Sequence, residues 1–197
     1  GHIKRVSTVE EARAYIESVR KTYHDARHVC SAFIIGADRD IQRSSDDGEP
    51  AGTAGVPMMQ ALLARQTRED GTTDLSDVVA VVVRYFGGIK LGAGGLVRAY
   101  TDSVVQTLDG ALFDSRERLR VGQVPSSHAD VGRLENEIRA AGLNVLGTEY
   151  GAEGATISLG VFDRPEELAR AEELVVSLSS GAASVTWGDT QWVDLPV

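Results

Sequence analysis

The sequence predicts a mixed α/β protein of the α+β kind, built as two domains. Three observations carry this. Runs of β-branched residues such as "VVAVVVRYF" alternate with stretches of helical apolar period through the first 117 residues. The last 80 residues run βαββαβ, the ferredoxin-like plan. Charge also divides: residues 1–117 carry 14 Lys+Arg against 17 Asp+Glu, net −3, and residues 118–197 carry 6 against 12, net −6. The expected domains are therefore 1–117 and 118–197.

The elements follow in order. "GHIKRVST" leads straight into a helix signal, so a first strand cut short is expected. "STVEEARAYIESVRKTY" opens with Ser7 as N-cap and Glu10 three residues on, a capping box, and Ala12, Tyr15, Ile16 and Val19 mark one helical face. "HVCSAFIIG" reads as a strand, and "DRDIQRSSDDGEPAGTAG" as a polar loop broken by Gly and Pro. "VPMMQALLAR" is a helix with Pro57 in its first turn. "REDGTTDLSD" is a second loop, and Val78–Phe86 is a central strand buried on both faces. A helix follows through Leu96, Tyr100, Val104, Leu108 and Ala111, with Arg98 on its first turn.

The second domain starts after a short connection around "DSRERLRV". "LRVGQV" is a strand. "SSHADVGRLENEIRAAG" is a helix with Ser127 as N-cap and Val131, Leu134 and Ile138 as its stripe. "LNVLGTEY" and "GATISLGVF" form a hairpin. "PEELARAEELVVSLSSG" is a helix with Leu168, Ala171, Leu174 and Leu178 on one face, and "ASVTWGDTQWV" is the last strand. Trp187 and Trp192 read as core or interface residues of that strand.

Composition bounds the function. Of the 197 residues, 42% are hydrophobic and 25% charged, ordinary for a soluble domain. No apolar run reaches the ~20 residues of a membrane span, and no secretory signal is seen. A single cysteine, Cys30, allows no internal disulfide and suits a reducing compartment, so a cytoplasmic location is expected. Net charge of −9 argues against a protein that coats nucleic acid broadly.

Against that acidity stands "RYFGGIKLGAGGLVRAY", residues 84–100, with five glycines and three cations. A strand, a glycine-rich turn and a helix start make an anion site, because unpaired helix N–H groups and the dipole favour negative charge. Gly87, Gly88, Gly92, Gly94 and Gly95 would let the backbone approach a ligand, and Arg84, Lys90 and Arg98 would supply charge. The alternative is that the glycines let a helix pack tightly on a strand. "GGIKLGAGG" lacks the Gly-Lys-Ser/Thr of a P-loop. Gly92 and Gly94 begin a dinucleotide fingerprint, but Val97 holds its third position. No cofactor is implied.

Two further clusters stand out. Asp46, Asp47 and Glu49 in "SSDDGEPAGTAGVP" read as ion-pair partners for Arg84, Lys90 or Arg98 in preference to a hard-cation site. The two glycine-rich loops are then expected side by side. In "HDARHVC", His28 and Cys30 share one strand face. With no other cysteine for a zinc site, Cys30 reads as a small buried hydrophobe and His28 as a polar partner of the glycine loop. No catalytic or metal constellation emerges.

"DARHVCSAF", "SDDGEPAGTAGVP" and "VVVRYFGGIKLGAGGLVRAY" together resemble the signature blocks of the IMPACT/YigZ family, in its order and spacing, and the βαββαβ half resembles the second domain of its bacterial two-domain form. Arg27 and Ala51 stand where threonine and serine are usual. The resemblance implies a first domain similar to the second domain of a small-subunit ribosomal protein, a fold shared with phosphate-binding small-molecule kinases. It implies a second domain similar to elongation factor G domain V. Eukaryotic relatives regulate translation, so the implied function is translation-associated, with RNA or the ribosome contacted through the glycine-rich, basic surface. Two other functions stay open: an enzyme acting on an anionic small molecule at the same loops, and an adaptor binding a protein through the acidic second domain.

Overall fold

The computed structural model describes residues 1–195. The chain divides into two units, Gly1–Phe113 and Asp114–Val197. The boundary lies four residues before the position expected from sequence, because the "DSRERLRV" segment is not a connection. Its residues from Ser115 onward already belong to the strand Ser115–Ser126.

The first unit contains β1 (His2–Arg5), α1 (Val9–Thr22), β2 (His28–Ile35), β3 (Ile41–Ser45), α2 (Gly55–Leu63), β4 (Val78–Arg84) and α3 (Gly92–Asp109). Its sheet has the order β1-β4-β2-β3, and every pair is antiparallel. One face carries α1, with Ala12 and Val19 against Val29, Phe33, Ile35, Val79 and Val81. The other carries α2 and α3, with Met58, Leu62, Tyr100 and Val104 against Cys30, Ala32, Ile34 and Ala80. Because both faces are covered, β2 and β4 need apolar residues at successive positions rather than alternate ones. That is why they read as continuous runs.

Four local expectations are corrected. The loop expected over residues 38–55 contains β3, paired with β2 from Ser31↔Ser45 to Ile35↔Ile41. Its five residues are all exposed, so no apolar alternation marks it. The N-cap of α1 is Thr8, whose hydroxyl accepts from Glu11 N–H at 3.1 Å. Glu11 in turn accepts from Ser7 N–H at 2.7 Å, so the capping box is shifted one residue from Ser7/Glu10. α3 starts at Gly92, one turn earlier than its apolar stripe, which moves Arg98 to the second turn. β4 ends at Arg84, leaving Tyr85 and Phe86 exposed beyond the sheet.

The second unit contains β5 (Ser115–Ser126), α4 (Val131–Ala140), β6 (Asn144–Tyr150), β7 (Ala155–Phe162), α5 (Pro165–Leu178) and β8 (Thr186–Leu195). Its antiparallel sheet has the order β6-β7-β5-β8, the ferredoxin-like topology. Val131, Leu134 and Ile138 of α4 and Ala171 and Val175 of α5 bury against Val124, Ile157 and Leu159. Val175 belongs to this core, and Leu174 is only half-buried. Ser127 accepts from Asp130 N–H at 3.1 Å and its carbonyl from Val131 N–H at 3.0 Å, a cap one turn ahead of α4. Trp187 packs at the core edge and its Nε1 donates to Glu172 at 2.6 Å, whereas Trp192 is exposed.

The start of α2 lies directly on β3. A Cβ added at Gly55 would sit 2.8 Å from Ser45 N and 2.9 Å from Ser45 C, both backbone atoms. Only a residue without Cβ permits that approach. Gly55→Ala should therefore destabilise the protein by about 1–3 kcal/mol in urea unfolding, as overpacking does. An unchanged midpoint would contradict the close approach.

Candidate functional site

The segment leaving β3 makes three acidic contacts in three directions. Asp46 turns back on α2, accepting from Gly52 N–H at 2.8 Å, Ala54 N–H at 3.0 Å and Gly55 N–H at 2.8 Å. It thereby fills the anion-attracting end of α2 from within the chain. Asp47 turns toward α1 and β2, accepting from Arg20 at 3.0 Å and Val29 N–H at 2.7 Å. Glu49 turns inward, its side chain only 4% exposed. Its Oε1 accepts from Arg84 of β4 and, at 2.8 Å, from the Tyr100 hydroxyl of α3.

Of the three acids expected to pair with Arg84, Lys90 or Arg98, Glu49 alone does so, with Arg84. Asp46 and Asp47 do not, because backbone donors and Arg20 claim them. Lys90 and Arg98 make no ion pair or hydrogen bond among the described residues. Arg98 lies outside the cleft described below.

His28 and Arg84 are register partners across β2 and β4, so their side chains share a face. His28 Nδ1 lies 2.9 Å from the Asp47 carbonyl oxygen, and Nε2 lies 3.9 Å from Glu49 Oε1. On the same face, two residues along, the Cys30 thiol is fully buried, 3.0 Å from the Asp46 carbonyl and 3.3 Å from the Tyr100 hydroxyl. Burial pushes that thiol up to about 12. It stays protonated and is no nucleophile.

His28, Glu49 and Arg84 floor an open cleft of about 400 Å³. One wall is the turn Gly48–Glu49–Pro50, and the other is Phe86 with Lys90–Ala93 of the glycine loop. The two loops thus lie side by side, with Arg27 and His28 beside them. Phe86 is 47% exposed and Tyr85 53%.

The N-terminus of α3 opens onto this cleft. Its N-cap, Leu91, offers no side-chain acceptor, and the first turn holds no acidic residue. Gly92 has φ of 70°, which favours glycine. Packing against a neighbouring element does not explain these glycines, although a Cβ at Gly95 would be crowded within its own turn, 2.9 Å from Leu91 Cβ. A Cβ added at Gly87, Gly88, Gly92 or Gly94 would meet nothing within 4 Å, and at Gly95 it would meet only Leu91 of the same turn. The missing side chains leave room around the loop instead of a tight seam.

Sequence reasoning missed Phe86, Pro50 and Leu91 as cleft residues and treated Tyr100 only as part of a stripe. A buried tyrosine hydroxyl needs a partner, which is the signal that marked Tyr100. Among the described residues no group of three His, Cys, Asp or Glu is placed to hold a metal, and no helix is long and apolar enough to cross a membrane.

The comparisons with known proteins agree with this architecture. The family model for the Impact N-terminal domain matches residues 1–108, and one for a domain of unknown function (DUF1949) matches residues 127–182. The chain is similar to IMPACT family member YvyE of Bacillus subtilis, 36% identical over 196 residues that cover all of this chain and 85% of that one. It is similar to IMPACT family member YigZ of Escherichia coli, 51% identical over 102 residues, 51% of this chain and 46% of that one. A crystal structure of a hypothetical protein is also similar, with a TM-score of 0.61 and 31% identity over 93% of this chain and 84% of that one.

Electrostatics give the acidic segment a definite pH dependence. Burial pushes the Asp46, Asp47 and Glu49 carboxyls up, but their hydrogen bonds outweigh it and each ends below its ordinary value of 3.8 or 4.5. The folded state thus binds these protons more weakly than the unfolded chain. The stability they supply is present in full above those ordinary values and is lost as pH falls from them through the lower values of the folded state. Melting temperature should be nearly flat from pH 7 to 5 and fall below about pH 4.5. Asp46→Ala should cost about 1–2 kcal/mol at pH 7 and shrink the acid-dependent part, in thermal unfolding across pH. An equal acid dependence in wild type and variant would contradict the assignment.

Proposed function

Because the chain belongs to the IMPACT family, we propose that its first unit is a translation-associated module that binds single-stranded RNA by its phosphates in the cleft at the start of α3. The observation that supports this most is the open, glycine-lined N-terminus of α3. No side chain caps its N–H groups, whereas those of α2 are occupied by Asp46. A phosphate fits such an end by charge and by hydrogen bonding.

Two cations flank it. Lys90 and Arg27 are exposed, line the cleft and have no internal partner among the described residues. Exposed Phe86, which lines the cleft, supplies an aromatic face of the kind on which unpaired bases stack. Acidity elsewhere, with net −6 beyond residue 117, opposes adhesion outside this patch. A single buried cysteine, with no second one in the sequence to form a disulfide, accords with work in the cytoplasm.

The test is a titration of single-stranded RNA at several salt concentrations. Lys90→Ala should weaken binding about equally across sequences and lower the slope of log K against log salt by about 0.7, one single-strand phosphate contact. Folding should hardly change, since an exposed lysine adds little stability. No binding by wild type at low salt, or superimposable curves, would contradict the reading and favour a protein partner.

A further inference from the structure

We infer that the cleft also cleaves the RNA it binds, with His28 Nε2 as the base that takes the proton from a ribose 2′-hydroxyl. This rests on the RNA-binding reading above.

The tautomer of His28 is fixed by its surroundings. The Asp47 carbonyl oxygen, 2.9 Å from Nδ1, can only accept, so Nδ1 carries the hydrogen. In the neutral ring, Nε2 then presents a lone pair. Among the described residues no hydrogen-bond donor is placed on that nitrogen, and the Glu49 Oε1 beside it, at 3.9 Å, is also an acceptor. The ring is 14% exposed and lines the cleft, so Nε2 is an acceptor held ready for a donor from outside the chain.

The Glu49 carboxylate beside the ring is held in place by Arg84 and Tyr100. The phosphate site of α3, Lys90 and Arg27 shares the same cleft. A ribose 2′-hydroxyl is the hydroxyl that every RNA phosphate carries beside it. A proton acceptor next to a phosphate site is the arrangement that in-line transesterification needs.

The step balances without a metal or other cofactor. Nε2 takes the 2′-hydroxyl proton as O2′ forms a bond to phosphorus. The P–O5′ bond breaks, and O5′ takes a proton from water at the cleft mouth. The hydroxide left by that water is neutralised by the proton on His28, which restores both. The products are a 2′,3′-cyclic phosphate and a 5′-hydroxyl. The N–H groups of α3 with Lys90 stabilise the added negative charge on the phosphoryl oxygens.

The experiment is single-turnover incubation of end-labelled single-stranded RNA with excess full-length protein in EDTA, with products resolved by length and end group. Wild type should yield 2′,3′-cyclic ends and leave the matching 2′-O-methyl RNA intact. His28→Asn keeps a donor for the Asp47 carbonyl and lacks Nε2. It should slow cleavage at least about 100-fold with protein in excess over the RNA at a concentration that saturates both forms. Wild type that binds RNA without cleaving it overturns this inference and leaves the binding reading standing. So does cleavage of 2′-O-methyl RNA, or cleavage by His28→Asn at the wild-type rate. Wild type that binds no RNA overturns both.

Discussion

The Glu49 carboxylate is almost wholly buried, and an ionised carboxylate taken from water costs several kcal/mol unless donors surround it. Arg84 and Tyr100 are those donors, and they come from different elements. Arg84 ends β4, Tyr100 lies two turns into α3, and Glu49 sits in the turn after β3. The need to satisfy one charge therefore fixes the distance between the two glycine-rich loops. The cleft is the space that this distance leaves. Asp46 and Asp47 reinforce the arrangement by fastening the same turn to α2 and to α1.

The same contact sets how much positive charge the cleft can offer. Arg84 is committed to Glu49, so the charge free to meet an anion is that of Lys90, Arg27 and the end of α3. On the reading proposed above, so few free cations imply modest affinity and a shallow salt slope. In the second unit, ion pairs such as Arg120–Asp163 and Arg139–Glu135 are on the surface and contribute little to stability. That unit stands on its apolar core beneath α4 and α5.

How much was legible in the sequence depended on burial. β2 and β4 could be read because each residue faces a covered surface, and α1, α2, α4 and α5 because one face is apolar. β3 could not, since an exposed edge strand needs only backbone pairing and its side chains carry no pattern. Thr8 and Ser7 are adjacent hydroxyls with a glutamate three residues after each, so the capping rule fits both. The first turn of α3 was hidden because Gly92, Gly94 and Gly95 are poor helix formers. At the site, the nearness of the two loops was legible from their shared place before helices. The divergent paths of Asp46 and Asp47, neighbours in sequence, were not, since backbone geometry decides them. Nor was the approach of His28 to Glu49, which depends on the turn that brings Glu49 back over β2.

The claim that one buried charge holds the cleft together is tested most directly by a double-mutant cycle between Glu49→Gln and Tyr100→Phe, read by urea unfolding. If the hydrogen bond to the carboxylate is the clasp between the β3–α2 turn and α3, the pair should show a coupling energy of about 1 kcal/mol or more. Single-mutant effects that add to within about 0.5 kcal/mol would mean that the two loops are positioned independently, and would contradict the account.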